Sequence, residues 1–102
     1  MIRIYLFIAA SILAFLGTQS HAQTTGNSSA QSVRATLDRY CVTCHNETLK
    51  TAGLMLDQAN VFAPENNQAL WEKVIRKLRM RAMPPPPMPR PDEAVYQQVI
   101  GY

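Results

Sequence analysis

Cysteine and histidine are scarce in this chain of 102 residues, which contains two of each. Both cysteines, Cys41 and Cys44, lie in one short motif. A structural zinc site takes four ligands, usually cysteine and histidine. Beyond residue 22 the chain supplies only these two cysteines and His45, so a structural zinc site is short of ligands.

An apolar run long enough to cross a bilayer is also missing. The longest run, residues 4–16, is shorter than the roughly 20 residues that a membrane span needs. It follows the positive Arg3 and precedes small residues at positions 20 and 22, which is the order of a secretory signal peptide. The sequence therefore predicts a signal peptide over residues 1–22 and a periplasmic or otherwise exported protein. The alternative is an uncleaved membrane anchor.

The predicted mature chain, residues 23–102, has no large excess of charge. Removing Arg3 leaves nine basic and seven acidic residues, a net charge of +2. This balance gives no argument for a nucleic-acid partner or an anionic membrane, and we expect no stable membrane insertion after cleavage. A domain this small usually needs a metal, a cofactor or a covalent staple.

Strand patterns and internal repeats are absent, and we predict an all-α fold of three helices. Residues 23–32 are small and polar without an apolar anchor, which predicts a flexible tether before a domain over residues 33–102. The first helix is expected to begin with Ser32 as its N-cap. Five residues share one face of it and lead into the cysteine motif: Val33, Leu37, Tyr40, Cys41 and Cys44.

A loop over residues 46–63 separates this helix from a second one. The second helix is expected to follow Pro64, with Asn66 or Asn67 as its cap. Its apolar stripe has the helical period and consists of Leu70, Trp71, Val74, Ile75 and Leu78.

The proline-rich residues 83–89 cannot continue the second helix, because proline lacks the N–H group and clashes with the preceding turn. A third helix is then predicted, with Pro91 as its first residue and Asp92 and Glu93 in its first turn. Its apolar side consists of Val95, Tyr96, Val99 and Ile100.

Residues 41–45 read Cys-Val-Thr-Cys-His, the C-x-x-C-H motif of covalent c-type haem attachment. Cysteines three positions apart on a helical turn lie on the same side and reach both vinyl groups on one porphyrin edge. The adjacent His45 then projects its imidazole under the iron as the proximal ligand. A thioredoxin-type disulfide would need a βαβ context. We therefore predict one covalent haem c, attached to Cys41 and Cys44, with His45 as an axial ligand of its iron.

A methionine is the expected ligand on the opposite face of the iron. His21 leaves with the signal peptide, so a second histidine is not available, and His/Met ligation raises the reduction potential. The candidates are Met55, Met80, Met83 and Met88.

Met83 is the best placed of these four. Met80 falls on the polar side of the second helix, and Met88 lies between two prolines in an extended, solvated segment. Met55 would need a tight path over the haem edge. Pro84 forces Met83 into extended backbone just beyond the second helix, so we predict Met83 as the distal ligand. The alternative is that Met83 only fills an apolar gap.

A row of basic residues follows the second helix and its end: Lys73, Arg76, Lys77, Arg79 and Arg81. We interpret this row as the solvated side of an amphipathic helix; the alternative is a docking surface for an acidic redox partner, since charge complementarity speeds encounter. Tyr40 and Trp71 lie on core faces, where aromatic residues more often serve only in packing; the alternative is contact with the haem.

Four segments together resemble the cytochrome c domains found near the N-terminus of long secreted planctomycete-type proteins. They read Tyr-Cys-Val-Thr-Cys-His at 40–45, Thr-Ala-Gly-Leu-Met-Leu-Asp at 51–57, Trp-Glu-Lys-Val-Ile-Arg-Lys-Leu at 71–78 and Met-Pro-Pro at 83–85. The similarity extends over residues 33–102, nearly all of the predicted mature chain.

The resemblance implies a small cytochrome c fold around one haem, with Cys41 and Cys44 as thioether sites, His45 as the proximal ligand and Met83 as the distal one. Two departures stand out. The family domain usually continues into a far longer polypeptide, and truncation at Tyr102 is one interpretation of this ending. No proline closely follows His45, so the carbonyl that orients its other ring nitrogen is not identified.

We expect a periplasmic one-electron carrier, not an enzyme, whose partners are redox proteins that act as electron donor and acceptor. One alternative is a haem domain that carries electrons within a larger secreted redox enzyme. Another is a haem sensor or peroxidase with an open distal site.

Overall fold

The computed structural model describes residues 22–102, with side chains from Thr25 onward. Helix α1 spans Ala22–Tyr40, α2 spans Gln68–Arg79 and α3 spans Glu93–Gly101, with short 3₁₀ turns at Thr51–Gly53 and Pro64–Asn67. Within this part of the chain no strand is formed, so the predicted all-α fold with three helices is confirmed.

The predicted signal peptide lies outside the described residues except for Ala22, and its cleavage stays a prediction. Among residues 22–102 no helix combines the length and the apolar character that a membrane crossing requires.

Helix α1 begins at Ala22, eleven residues before the expected first helical residue Val33. It includes residues 23–32, which differs from the flexible tether expected from their composition. The Ser28 and Ser29 hydroxyls donate to the Thr25 carbonyl at 2.8 and 3.1 Å, so both find a hydrogen-bond acceptor within the helix. Ala30 is 1% exposed and packs into the core. Where the domain ends and a tether begins stays a prediction.

The sequence predicted Ser32 as the N-cap of α1. This prediction is wrong, because Ser32 lies inside the helix. Its hydroxyl oxygen instead accepts a hydrogen bond from the Gln98 amide at 2.6 Å, which joins α1 to α3. The predicted apolar face of α1 is confirmed, since Val33 and Leu37 are fully buried. They belong to a core that all three helices and the intervening loop share: Ala30, Val33, Leu37, Leu56, Val61, Val74, Leu78, Tyr96 and Val99.

The start of α2 follows the prediction. Residues 64–67 form the 3₁₀ turn, and the Asn67 side chain accepts from the Leu70 backbone N–H at 3.3 Å. Val74 and Leu78 are buried, whereas Leu70 and Trp71 are partly buried against the core. The stripe of period 3.6 thus packs α2 against the rest of the domain.

The end of α2 is a Schellman turn. The Ala82 N–H donates to the Lys77 carbonyl and the Arg81 N–H to the Leu78 carbonyl, both at 3.0 Å. Arg81 adopts a left-handed conformation with φ of 55°, at the position where glycine is usual. Residues 82–91 lead from this turn to α3.

Helix α3 is capped by Asp92, whose carboxylate accepts from the Val95 N–H at 2.9 Å. Pro91 therefore precedes the cap, and the first helical residue is Glu93, two positions after the expected one. Tyr96 and Val99 are buried, and α3 packs against both α1 and α2.

Arg34 on α1 holds the loop over residues 46–63 against the helix. Its guanidinium donates to the Leu56 carbonyl at 2.8 Å and the Ala59 carbonyl at 3.3 Å, and its Nε donates to Asp38 at 2.9 Å. Charge-assisted bonds of this kind are the stronger ones in proteins. The loop is thus anchored on the same helix that leads into the cysteine motif.

Candidate functional site

The cysteine motif continues the backbone turn of α1 beyond Tyr40. The Cys41 N–H donates to the Leu37 carbonyl and the His45 N–H to the Cys41 carbonyl, both at 2.9 Å. The Cys44 N–H also donates to Cys41, at 3.2 Å. Cys41 and Cys44 therefore lie about one turn apart on a helical path, as the motif predicts.

Both thiols are free and partly buried. Burial raises the pKa of the Cys41 thiol to about 11, although the nearby positive charge of Arg34 acts in the opposite direction. A cysteine in such a site is protonated at neutral pH and behaves as a small apolar side chain.

A cavity of about 200 Å³, open to solvent on one side, lies beside the motif. Pockets for cofactors and small ligands are mostly apolar. Cys41, Cys44 and His45 all line this cavity. Six of the apolar residues around them are Tyr40, Leu54, Leu56, Val74, Leu78 and Pro84. A largely apolar cavity with thiols and an imidazole in one wall fits a haem.

The His45 ring is oriented by a backbone carbonyl that the sequence did not reveal. Its Nδ1 lies 2.8 Å from the Thr51 carbonyl oxygen. A carbonyl only accepts, so Nδ1 carries the hydrogen and Nε2 keeps its lone pair for a metal. Lys50 and Ala52, on either side of Thr51, are both left-handed, with φ of 49° and 55°.

Asn46 stabilises the turn that directly follows the motif. Its side-chain amide donates to the Val42 carbonyl at 2.7 Å, and its side-chain oxygen accepts from the Thr48 and Leu49 N–H groups at 3.0 and 2.8 Å. The Leu56 N–H then donates to the His45 carbonyl at 2.9 Å. Asparagine favours turns of this kind, and that preference is the sequence signal by which its role could have been found.

Two of the four candidate methionines line the cavity, Met83 and Met88. Met80 is 67% exposed and Met55 is 39% exposed, and neither lines it. The expectation for Met88 was an extended, solvated segment. Instead the Met88 N–H donates to the Pro85 carbonyl at 2.8 Å, and this turn brings the side chain to the cavity although 40% of the residue remains exposed.

Part of the basic row also faces the cavity. Lys73, Arg76 and Lys77 line it, at positions that share one face of α2. They are the only charged side chains in the described lining. Tyr40 lines the cavity as well, whereas Trp71 packs against the core and does not.

Residues 41–87 match the family model described as Planctomycete cytochrome C. The matched segment begins at the first cysteine of the motif and extends past Met83, so it contains both thiols, the imidazole and the methionine that meet at the cavity. No curated protein and no solved structure matches the chain. Over residues 41–87 the chain is similar to planctomycete-type cytochrome c domains, which confirms the resemblance found in the sequence.

Proposed function

We propose that this domain is an exported one-electron carrier, in which Cys41 and Cys44 hold one haem covalently while His45 and Met83 bind its iron. The observation that carries the proposal is that these four side chains line one cavity. A bound haem supplies electron exchange between Fe(II) and Fe(III). A domain of this family is typically an electron carrier, and the same domain is also compatible with a role inside a larger enzyme.

The chain's own residues would hold and shield this haem. Cys41 and Cys44 would fix its position, and His45 would present Nε2 to the iron because the Thr51 carbonyl accepts the hydrogen of Nδ1. The apolar walls of the cavity would exclude water from it. With Met83 also bound, the iron would have no open position for oxygen or peroxide.

The direct test is the absorption spectrum of protein exported in a host that has a cytochrome c maturation system. We expect the sharp α-band of a low-spin haem on reduction, the weak red-edge band of methionine ligation on oxidation, and slow binding of carbon monoxide. Rapid binding of carbon monoxide would instead indicate an open distal site, as in a haem sensor or peroxidase.

The proposed partners are acidic redox proteins that approach the cavity from the side of α2. This part of the proposal is supported by Lys73, Arg76 and Lys77, which give the cavity lining its only charges among the described residues. Cations around an opening attract anionic partners and speed their encounter, most strongly at low ionic strength.

The double variant Lys73→Glu, Lys77→Glu tests the role of these cations in reactions with small oxidants. At low salt we expect oxidation of the reduced protein by anionic ferricyanide to slow by about tenfold, while oxidation by a cationic cobalt(III) complex does not slow. A change in driving force would move both rates in the same direction. The double variant Arg39→Glu, Arg79→Glu is the control with the same change of charge, since neither arginine lines the cavity. Equal effects of the two double variants would show that the cations at the cavity have no special role.

A further inference from the structure

The backbone that carries Met83 is hydrogen-bonded to α3. The Tyr96 hydroxyl donates to the Met83 carbonyl at 2.9 Å. Tyr96 is 4% exposed, so its hydroxyl has left bulk water and takes its partner from this segment. Pro84, the residue after Met83, is buried and lines a small void together with Tyr96.

Tyr96 is itself held from two sides. The guanidinium carbon of Arg81 lies 4.4 Å from the centroid of its ring, a cation–π contact. The Nε of Arg90 donates to its hydroxyl oxygen at 3.3 Å, and another nitrogen of Arg90 donates to the Arg81 carbonyl at 2.7 Å. Ring and hydroxyl are thus both fixed.

Arg81 connects Tyr96 and Arg90 to the end of α2. It forms an ion pair with Glu93 in the first turn of α3, and its guanidinium also donates to the Leu78 carbonyl. A non-glycine residue in the left-handed region is strained, and these contacts stabilise Arg81 there. Arg81 and Arg90, which lie on either side of the segment that contains Met83, therefore contact each other and Tyr96.

We propose that Tyr96, held by Arg81 and Arg90, is a positioning residue that fixes the Met83 thioether inside the cavity. This inference rests on the proposed function, in which Met83 binds the iron. Tyr96 acts through the Met83 backbone, to which its hydroxyl donates. A neutral thioether has no charge to draw it to the iron, so the occupancy of its bond depends on how far its segment is preorganised.

The test is Tyr96→Phe in the haem-loaded protein, because phenylalanine keeps the ring and loses only the hydroxyl. We expect carbon monoxide to bind the reduced protein about five- to tenfold faster, the change in population that loss of one average hydrogen bond produces. The red-edge band of the oxidised protein weakens and the reduction potential falls.

Tyr102→Phe is the matched control. The Tyr102 hydroxyl donates to the Val61 carbonyl at 2.7 Å, a bond of the same kind at the other end of α3, and neither residue lines the cavity. We expect it to leave the band, the potential and the carbon monoxide rate unchanged. Arg90→Ala, an exposed substitution, gives a second route to the same question and should shift all three readouts in the direction of Tyr96→Phe, by about twofold.

The outcomes separate this inference from the proposed function. If Met83→Ala leaves the band and the carbon monoxide rate unchanged, Met83 is not the ligand and both proposals fail. If Met83→Ala removes the band while Tyr96→Phe and Arg90→Ala behave like the Tyr102→Phe control, the ligand assignment stands and the positioning role is wrong.

Discussion

We expect protein exported through a cytochrome c maturation system to gain the mass of one haem and to keep it through acid–acetone extraction. The reason is the covalent bond that each thiol would form, since extraction removes haem that is held only by its axial ligands. Cys41 and Cys44 are placed for this by the helical turn between them and by the cavity that both line. Replacing both cysteines with alanine removes the bonds, and we expect nearly all of the haem to be extracted from this variant.

The single variants refine the result. Cys41→Ala and Cys44→Ala each retain one thiol, so haem mass stays with the protein wherever one bond still forms. Mass spectrometry after extraction measures each case. Haem that can be extracted from the unmodified protein would contradict covalent attachment.

Replacing Met83 with alanine tests the proposed distal ligand. We expect loss of the thioether to remove the red-edge band of the oxidised protein and to open the iron to carbon monoxide. The reduction potential should fall by on the order of 0.1 V, within the ~0.8 V range that axial ligands set. Met83→His should keep the iron six-coordinate at a lower potential, because imidazole favours Fe(III) more than a thioether does. Spectroscopic titration against redox mediators measures the reduction potentials of both variants.

Met88→Ala is the decisive control for this assignment. Met88 lines the same cavity as Met83, whereas Met80 is largely exposed and lies outside it. We expect Met88→Ala and Met80→Ala to keep the band and the potential. If Met88→Ala loses the band and Met83→Ala keeps it, Met88 is the ligand. The turn that begins at Pro85 would then place the Met88 thioether at the iron.

Local patterns predicted the elements whose determinants are local. The C-x-x-C-H motif lies on a helical path because residues a few positions apart bond to one another. The apolar stripe of α2 and its cap at Asn67 follow from the helical period and from one side chain. In each case the deciding contacts lie within about one turn of the helix.

The features that sequence reasoning missed depend on distant contacts. Residues 23–32 have poor local preference for a helix, yet Ala30 packs into the core and Gln98 reaches Ser32 from α3. Tertiary packing overrides propensity in such segments. The contact between Tyr96 and Met83 joins residues 13 positions apart, and the helical pattern of α3 shows only that Tyr96 faces inward.

The hydrogen bond between His45 and Thr51 constrains how this segment can diverge. Its acceptor is a backbone carbonyl, so residue 51 can change to any side chain that its conformation tolerates without losing the bond. An insertion or deletion within residues 46–50 would move that carbonyl away from the imidazole. The orientation of the ring therefore depends on the length and path of this segment more than on its composition.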